Sequence, residues 1–129
     1  RMTRFYLMRH GQTLFNTLNR IQGWCDSPLT EKGRDQARQV RAYFEKHDVT
    51  FDQYYCTTTE RASDTIELAT GRTDYKRVKG LKEMHFGIFE GQPEYLHPKT
   101  SVVGHFGDHY AQVWWGKSRP VRCACGFEC

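Results

Sequence analysis

Apolar positions come in short clusters along the chain, and their spacing changes from one segment to the next. Residues Thr3–Met8 carry the apolar run Phe5-Tyr6-Leu7-Met8 and are closed by the Gly11 turn, the pattern of a short buried strand. Residues 11–29 read as loop, with Gly23, Asp26, Ser27 and Pro28 supplying turn chemistry. From Thr30 the period lengthens. Thr30 can N-cap a helix whose first turn carries Glu31, where the helix dipole favours an acid. Ala37, Val40 and Phe44 then fall at i, i+3 and i+7, one apolar stripe, and the helix is expected to end near Lys46-His47-Asp48. A second strand is expected at Phe51–Cys56, followed by Thr57, Thr58 and Thr59, any of which can cap the next helix. That helix carries Ala62, Ile66 and Ala69 on one face and stops before Gly71. Tyr75–Val78 is a weaker third strand.

Strand, helix, strand, helix, strand is the order of an α/β fold, a mainly parallel sheet covered by helices. In such sheets ligands sit outside the carboxyl ends of the strands. Arg9 and His10 stand side by side at the carboxyl end of the first strand, which makes that pair a candidate ligand site. No internal repeat, low-complexity tract or linker divides the chain.

Composition narrows the function classes. A chain of 129 residues is at most one domain, and 26% charged with 38% hydrophobic residues fits a globular fold. Its mean hydropathy of −0.76 is polar for a closed α/β core, which suggests that some core-forming sequence is absent. The net charge of +4 comes without a Lys/Arg-rich block, which argues against nucleic-acid binding and suits a basic pocket for an anionic substrate. The longest apolar runs, about four residues, fall far short of the ~20 that span a membrane. With no signal-like hydrophobic segment at the N-terminus, a cytoplasmic location is expected. The chain starts at Arg1, so either Met2 is the natural start or the chain is a fragment. Five cysteines, an odd number with Cys123, Cys125 and Cys129 crowded at the end, argue against a disulfide framework. Their C-x-C-x-x-x-C spacing lacks the second pair a tetrahedral metal site needs.

Four blocks carry a specific resemblance. They are Arg9-His10-Gly11-Gln12-Thr13 with Asn16; Gln22-Gly23-Trp24 with Asp26-Ser27-Pro28-Leu29-Thr30 and Gly33; Arg61-Ala62-Ser63-Asp64-Thr65; and Leu81 through Gly91. The last matches L-x-E-x-x-F-G-x-x-E-G at every fixed position. In this order the blocks resemble the histidine phosphatase superfamily, the phosphoglycerate-mutase-like enzymes. The resemblance covers residues 3–91 and implies a three-layer α/β sandwich with a mainly parallel sheet. It also implies catalytic roles for Arg9, His10, Arg61 and Glu83, and substrate contacts from Arg9, His10, Asn16, Gln22, Gly23 and Arg61. No metal and no cofactor is implied, and the partner is a small phosphorylated substrate.

The chemistry asks for these residue types. A phosphomonoester is anionic and resists an anionic attacker, so a neutral imidazole suits it, and a phosphohistidine splits one hard displacement into two easier ones. Arg9 and Arg61 can fork onto phosphate oxygens and stabilise charge on the transferring group. Nearby cations also disfavour the imidazolium and keep His10 nucleophilic. Glu83 is the expected general acid for the leaving alkoxide, with Phe86 as a desolvating wall. The expected function is phosphomonoester hydrolysis through a phosphohistidine at His10, of the broad-specificity phosphatase branch, in a truncated chain that its missing part can leave inactive. The alternatives are a phosphoglycerate-type mutase, which returns the phosphoryl group to substrate, and a non-catalytic phosphate-binding remnant.

The chain departs from the family at its end. The family's second histidine lies many tens of residues after the acid, yet only 46 residues follow Glu83. Val102-Val103-Gly104-His105 is a superficial match placed too early, and His85, His97 and His109 read as loop residues. Gly116-Lys117-Ser118 lacks the glycine and the leading strand of a phosphate loop. Residues 1–112 are therefore expected to be the N-terminal part of such a domain, its C-terminal part missing. Residues 113–129 are expected to be an aberrant tail. Shifting the frame by one base turns the codons of Trp114-Trp115-Gly116 into a forced Gly-Gly. Permitted codons continue it as Glu-Ser, a turn that family members commonly carry, so a frameshift in the gene or its sequencing is the expected origin.

Overall fold

The computed structural model describes residues 2–96; the segment 113–129 and residues His97, His105 and His109 lie outside them. Helix α1 is a single turn, Leu14–Thr17, within the segment expected to be loop. Thr13 and Asn16 form a reciprocal capping box around it, the Thr13 side chain accepting from the Asn16 amide and Asn16 accepting from the Thr13 amide. The signal was a Thr followed three places later by a short amide side chain.

Helix α2, Glu31–Lys46, begins as expected at Thr30, whose hydroxyl accepts from the Gly33 amide at 3.1 Å. Its buried positions are Gly33 and Ala37, with Val40 and Phe44 half-buried further along the stripe. It ends at His47, and Asp48 turns the chain away with φ of 50°. Strand β1, Tyr55–Cys56, leads into helix α3, Glu60–Thr70, which returns to strand β2, Lys76–Arg77. The two strands pair in parallel, Tyr55 opposite Lys76 and Cys56 opposite Arg77. Flanking bonds from Lys76 N–H to Tyr54 O and from Val78 N–H to Cys56 O continue the ladder. Both strands are shorter than the runs Phe51–Cys56 and Tyr75–Val78. Gly71 closes α3 with φ of 68°, a conformation that costs glycine least.

Helices α2 and α3 pack on each other, and Ile21, Leu29, Ala37, Cys56, Ile66 and Ala69 form the buried apolar centre. Helix α3 buries Ile66 and Ala69 as expected, with Ala62 half-buried, but also buries Arg61, Ser63 and Thr65. That polar flank faces the loops that build the site.

The expected first strand requires correction. Residues Thr3–Met8 form no strand, and they are exposed, Phe5 at 83% and Leu7 at 65%. A continuous apolar run expresses a need for burial, but a strand exists only through a neighbour's backbone ladder. Among the described residues no segment supplies one. The side-chain contact that does form is Tyr6 edge-on to Phe51, with ring centroids 5.0 Å apart.

Among the described residues, no helix is long and apolar enough to cross a membrane. None of their His, Cys, Asp and Glu side chains gather in a group of three that could hold a metal ion.

Candidate active site

The loop after residue 10 is fixed by close backbone packing. Gly11 lies against the backbone of Gly33 in the first turn of α2, and Gly33 lies against the backbone of Gln12. A methyl on either glycine would overlap those main-chain atoms, so only glycine lets helix and loop meet there. Hydrogen bonds then lock the seam. The Thr30 amide donates to Gln12 O at 2.9 Å, and the Gln12 amide donates to Gln36 Oε1 at 2.9 Å.

His10 sits half-buried at the edge of this seam. Its Nδ1 lies 2.7 Å from Gly11 O, a contact only a protonated Nδ1 can make, which leaves Nε2 as the basic nitrogen. Burial lowers the pKa of His10 from its ordinary 6.5; the Gly11 carbonyl and Glu83 act against this, while Arg61 and Arg9 add to it. Burial thus favours the neutral ring. Gly11 N–H in turn donates to Thr65 Oγ1 at 3.1 Å, and that hydroxyl donates to Arg61 O at 2.7 Å. The loop bearing His10 is thus anchored on α3.

Arg9, His10, Asn16, Gln22 and Glu83 line one cleft of about 350 Å³, joined by Arg20, Ile21, Phe86 and Glu94. Among the described residues Arg9 has no hydrogen-bonded partner, so its guanidinium is available to a ligand. Asn16 spends its Oδ1 on the Thr13 amide and hydroxyl, both at 2.9 Å, which leaves its NH₂ as the group offered to the cleft. Gln22 is held by Ser27 Oγ at 2.5 Å and by Thr13. Glu83 is exposed and accepts from the Met84 amide at 3.0 Å.

Two expected site residues lie outside the cleft lining. Arg61 is 3% exposed. Its Nη2 donates to Gly23 O at 2.6 Å, and its Nη1 donates to Cys25 O at 2.6 Å and pairs with Asp26 Oδ1 at 3.1 Å. The guanidinium grips the 23–26 loop, and its charge reaches His10 through the protein. Gly23 has its N–H on Glu90 Oε2 and its carbonyl on Arg61. A side chain there would run into Met84 O and the Phe86 ring.

Asp26 has a second task. Thr59 occupies the N-cap of α3, but its side chain makes no capping bond; instead Asp26 Oδ2 accepts the Glu60 amide at 2.6 Å. Arg20 and Glu94 are cleft residues that sequence reasoning missed. Arg20 is brought there because residues 19–21 hydrogen-bond to 91–94, with Arg20 bridging to Pro93 and its Nη1 on Gly91 O at 2.7 Å. No local pattern signals a pairing across some seventy residues. His85 lies outside the cleft lining and stacks on Trp24, centroids 4.4 Å apart, while Lys82 Nζ sits 4.2 Å from the same ring.

Similarity to known proteins agrees with this geometry. The chain is 30% identical over 118 residues to the 2,3-bisphosphoglycerate-dependent phosphoglycerate mutase of Lactobacillus acidophilus, covering 88% of this chain and 49% of that one. The fold superposes on Bacillus stearothermophilus YhfR with a TM-score of 0.62 at 32% identity, over 82% of this chain and 50% of that one. It superposes on the alpha-ribazole phosphatase of Shigella flexneri with a TM-score of 0.63 at 27% identity, over 81% and 50%. The chain spans about half the length of the curated relatives it matches. Residues 5–118 match the family described as histidine phosphatase superfamily, branch 1, a stretch that includes the cleft and the first residues of the segment 113–129. The chain belongs to the histidine phosphatase superfamily, a family of phosphatases and mutases.

Proposed function

We propose that this chain cleaves phosphomonoesters through a phosphohistidine formed on His10. The observation that carries this reading is the setting of His10: Nδ1 donates to Gly11 O, burial favours the neutral ring, and the side chain lines a cleft with an unengaged Arg9 guanidinium. Nε2 attacks phosphorus and the ester P–O bond breaks. Arg9 and the Asn16 NH₂ bind the phosphoryl oxygens. Arg61 contributes charge from outside the lining. Glu83 gives its proton to the leaving oxygen, and its carboxylate then takes a proton from the water that breaks the P–N bond. The substrate is a small phosphate ester, since the cleft is about 350 Å³ and its lining mixes two arginines with two carboxylates.

The test is incubation of the chain with a labelled phosphate ester. Acid-labile, base-stable label on the wild-type chain, lost in His10→Ala and accompanied by free phosphate, is the expected result. Absence of such label under turnover rejects the reading. A mutase is the second reading, favoured by the 30% identity to a phosphoglycerate mutase. It requires label at His10 and isomerisation of a phosphorylated hydroxy acid without phosphate release.

A further inference from the structure

Glu90 is the most heavily engaged carboxylate among the described residues, and the mechanism above gives it no task. It stands at the end of the Gly87–Phe89 turn and reaches across to the loop that follows Gln22. Its Oε1 accepts the amides of Trp24 at 2.7 Å and Phe86 at 3.1 Å. Its Oε2 accepts those of Gly23 at 3.2 Å and Cys25 at 3.1 Å. Three consecutive amides turned onto one anion is the geometry of a backbone nest, filled here by the protein's own side chain. A peptide N–H and the carbonyl of the residue before it point opposite ways, so the plane that turns the Trp24 amide onto Glu90 turns Gly23 O away from it. Gly23 O and Cys25 O are the carbonyls that receive the Arg61 guanidinium. Arg61 is also tied, through its own carbonyl and the Thr65 hydroxyl, to the Gly11 amide beside His10.

We propose that Glu90 is a positioning residue for the nucleophile. By ordering the amides of Gly23, Trp24 and Cys25, it fixes the loop whose Gly23 and Cys25 carbonyls hold Arg61 where its charge acts on His10. This rests on His10 being the phosphoryl acceptor. Glu90 is not itself a lining residue and has no hydrogen bond to His10; its one bond to the lining is to the Phe86 main chain, so its effect on His10 is transmitted. The charged groups acting on His10 are Arg61, Arg9 and Glu83, and two of these oppose the imidazolium.

The sign of one measurement separates transmission from a direct field. Removing an anion lowers a histidine's titration midpoint; letting an adjacent guanidinium slip raises it. The imidazole carbon shifts of His10 are titrated in the full chain for wild type, Glu90→Gln, Arg61→Met and the double variant. Glu90→Gln is expected to shift the midpoint upward, as Arg61→Met does, and to add no further upward shift in the Arg61→Met background. An unchanged midpoint, a downward shift, or the same rise in both backgrounds overturns the proposal; the last indicates general loosening of the loop. If Glu90→Gln lacks a cooperative melt, Glu90→Asp carries the same titration, its carboxylate one methylene short of the amides. An upward shift supports the proposal there, and no shift overturns it. The titration needs no turnover. Label absent from wild-type His10 therefore counts against the proposed function, whereas label present with an unmoved midpoint counts against Glu90.

Discussion

Gly11 and Gly33 meet backbone to backbone, a contact that seats the first turn of α2 on the loop carrying His10. Gly33 is helical, and in an exposed helix alanine would gain about 1 kcal/mol over glycine. Here the added methyl meets main-chain atoms of Gln12, which cannot rotate aside. Gly33→Ala is therefore expected to destabilise the fold by about 1–3 kcal/mol. Denaturant unfolding of the two proteins checks the sign.

Phosphohistidine formation should persist into mild acid. In the proposed reaction neutral imidazole is the nucleophile, and burial of His10 lowers its pKa from 6.5. The acid limb of the labelling rate is thus expected below 6.5, not at it. Arg9→Met removes one charge that opposes the imidazolium and should move that limb upward. A limb at or above 6.5 in wild type contradicts the assignment.

Replacing Glu83 tests the proposed proton delivery with His10 still in place. An alkyl phosphate leaves as a strongly basic oxygen and needs the proton; an activated aryl phosphate does not. Measured on the first step, phosphoryl transfer to His10, Glu83→Gln is expected to slow the former by about a hundredfold or more and the latter far less. Equal losses on both would remove Glu83 from the role.

Acid should weaken the fold through Glu90. Burial works against its charged form, but the Cys25 thiol and the amides of Phe86, Trp24 and Cys25 hold its pKa down at about 2, against an ordinary 4.5. Its contribution is present above 4.5 and is lost as pH falls toward about 2. Glu90→Gln is expected to flatten the pH dependence of stability across that window. Thermal melts of both proteins between pH 5 and pH 2 give the comparison.

Helix α2 was legible because its start, stripe and stop are all local: Thr30, Ala37 with Val40 and Phe44, and Lys46 before the turn at Asp48. Helix α3 was legible for the same reason, down to its Gly71 stop. The grouping of Arg9, His10, Asn16, Gln22 and Glu83 around one cleft was also open to inference from the motif blocks. What escaped is non-local. Thr3–Met8 has strand composition, but pairing depends on another segment's backbone. Arg20 and Glu94 reach the cleft through bonds between residues 19–21 and 91–94. Arg61 carries the right charge at the right motif position, yet its guanidinium is spent on the carbonyls of Gly23 and Cys25. Motif position alone does not tell which way a buried arginine turns.

The carboxylate of Asp26 bears on how the chain folds. It accepts the Glu60 amide at the head of α3 and pairs with Arg61, from 34 residues earlier in the chain. A helix of eleven residues is marginal on its own, and this one lacks a side-chain cap from its own Thr59. Its first turn is completed only when the 23–26 loop arrives. Growth of α3 and docking of the 23–26 loop are therefore expected to be coupled, and Asp26→Ala should slow refolding as well as lower stability.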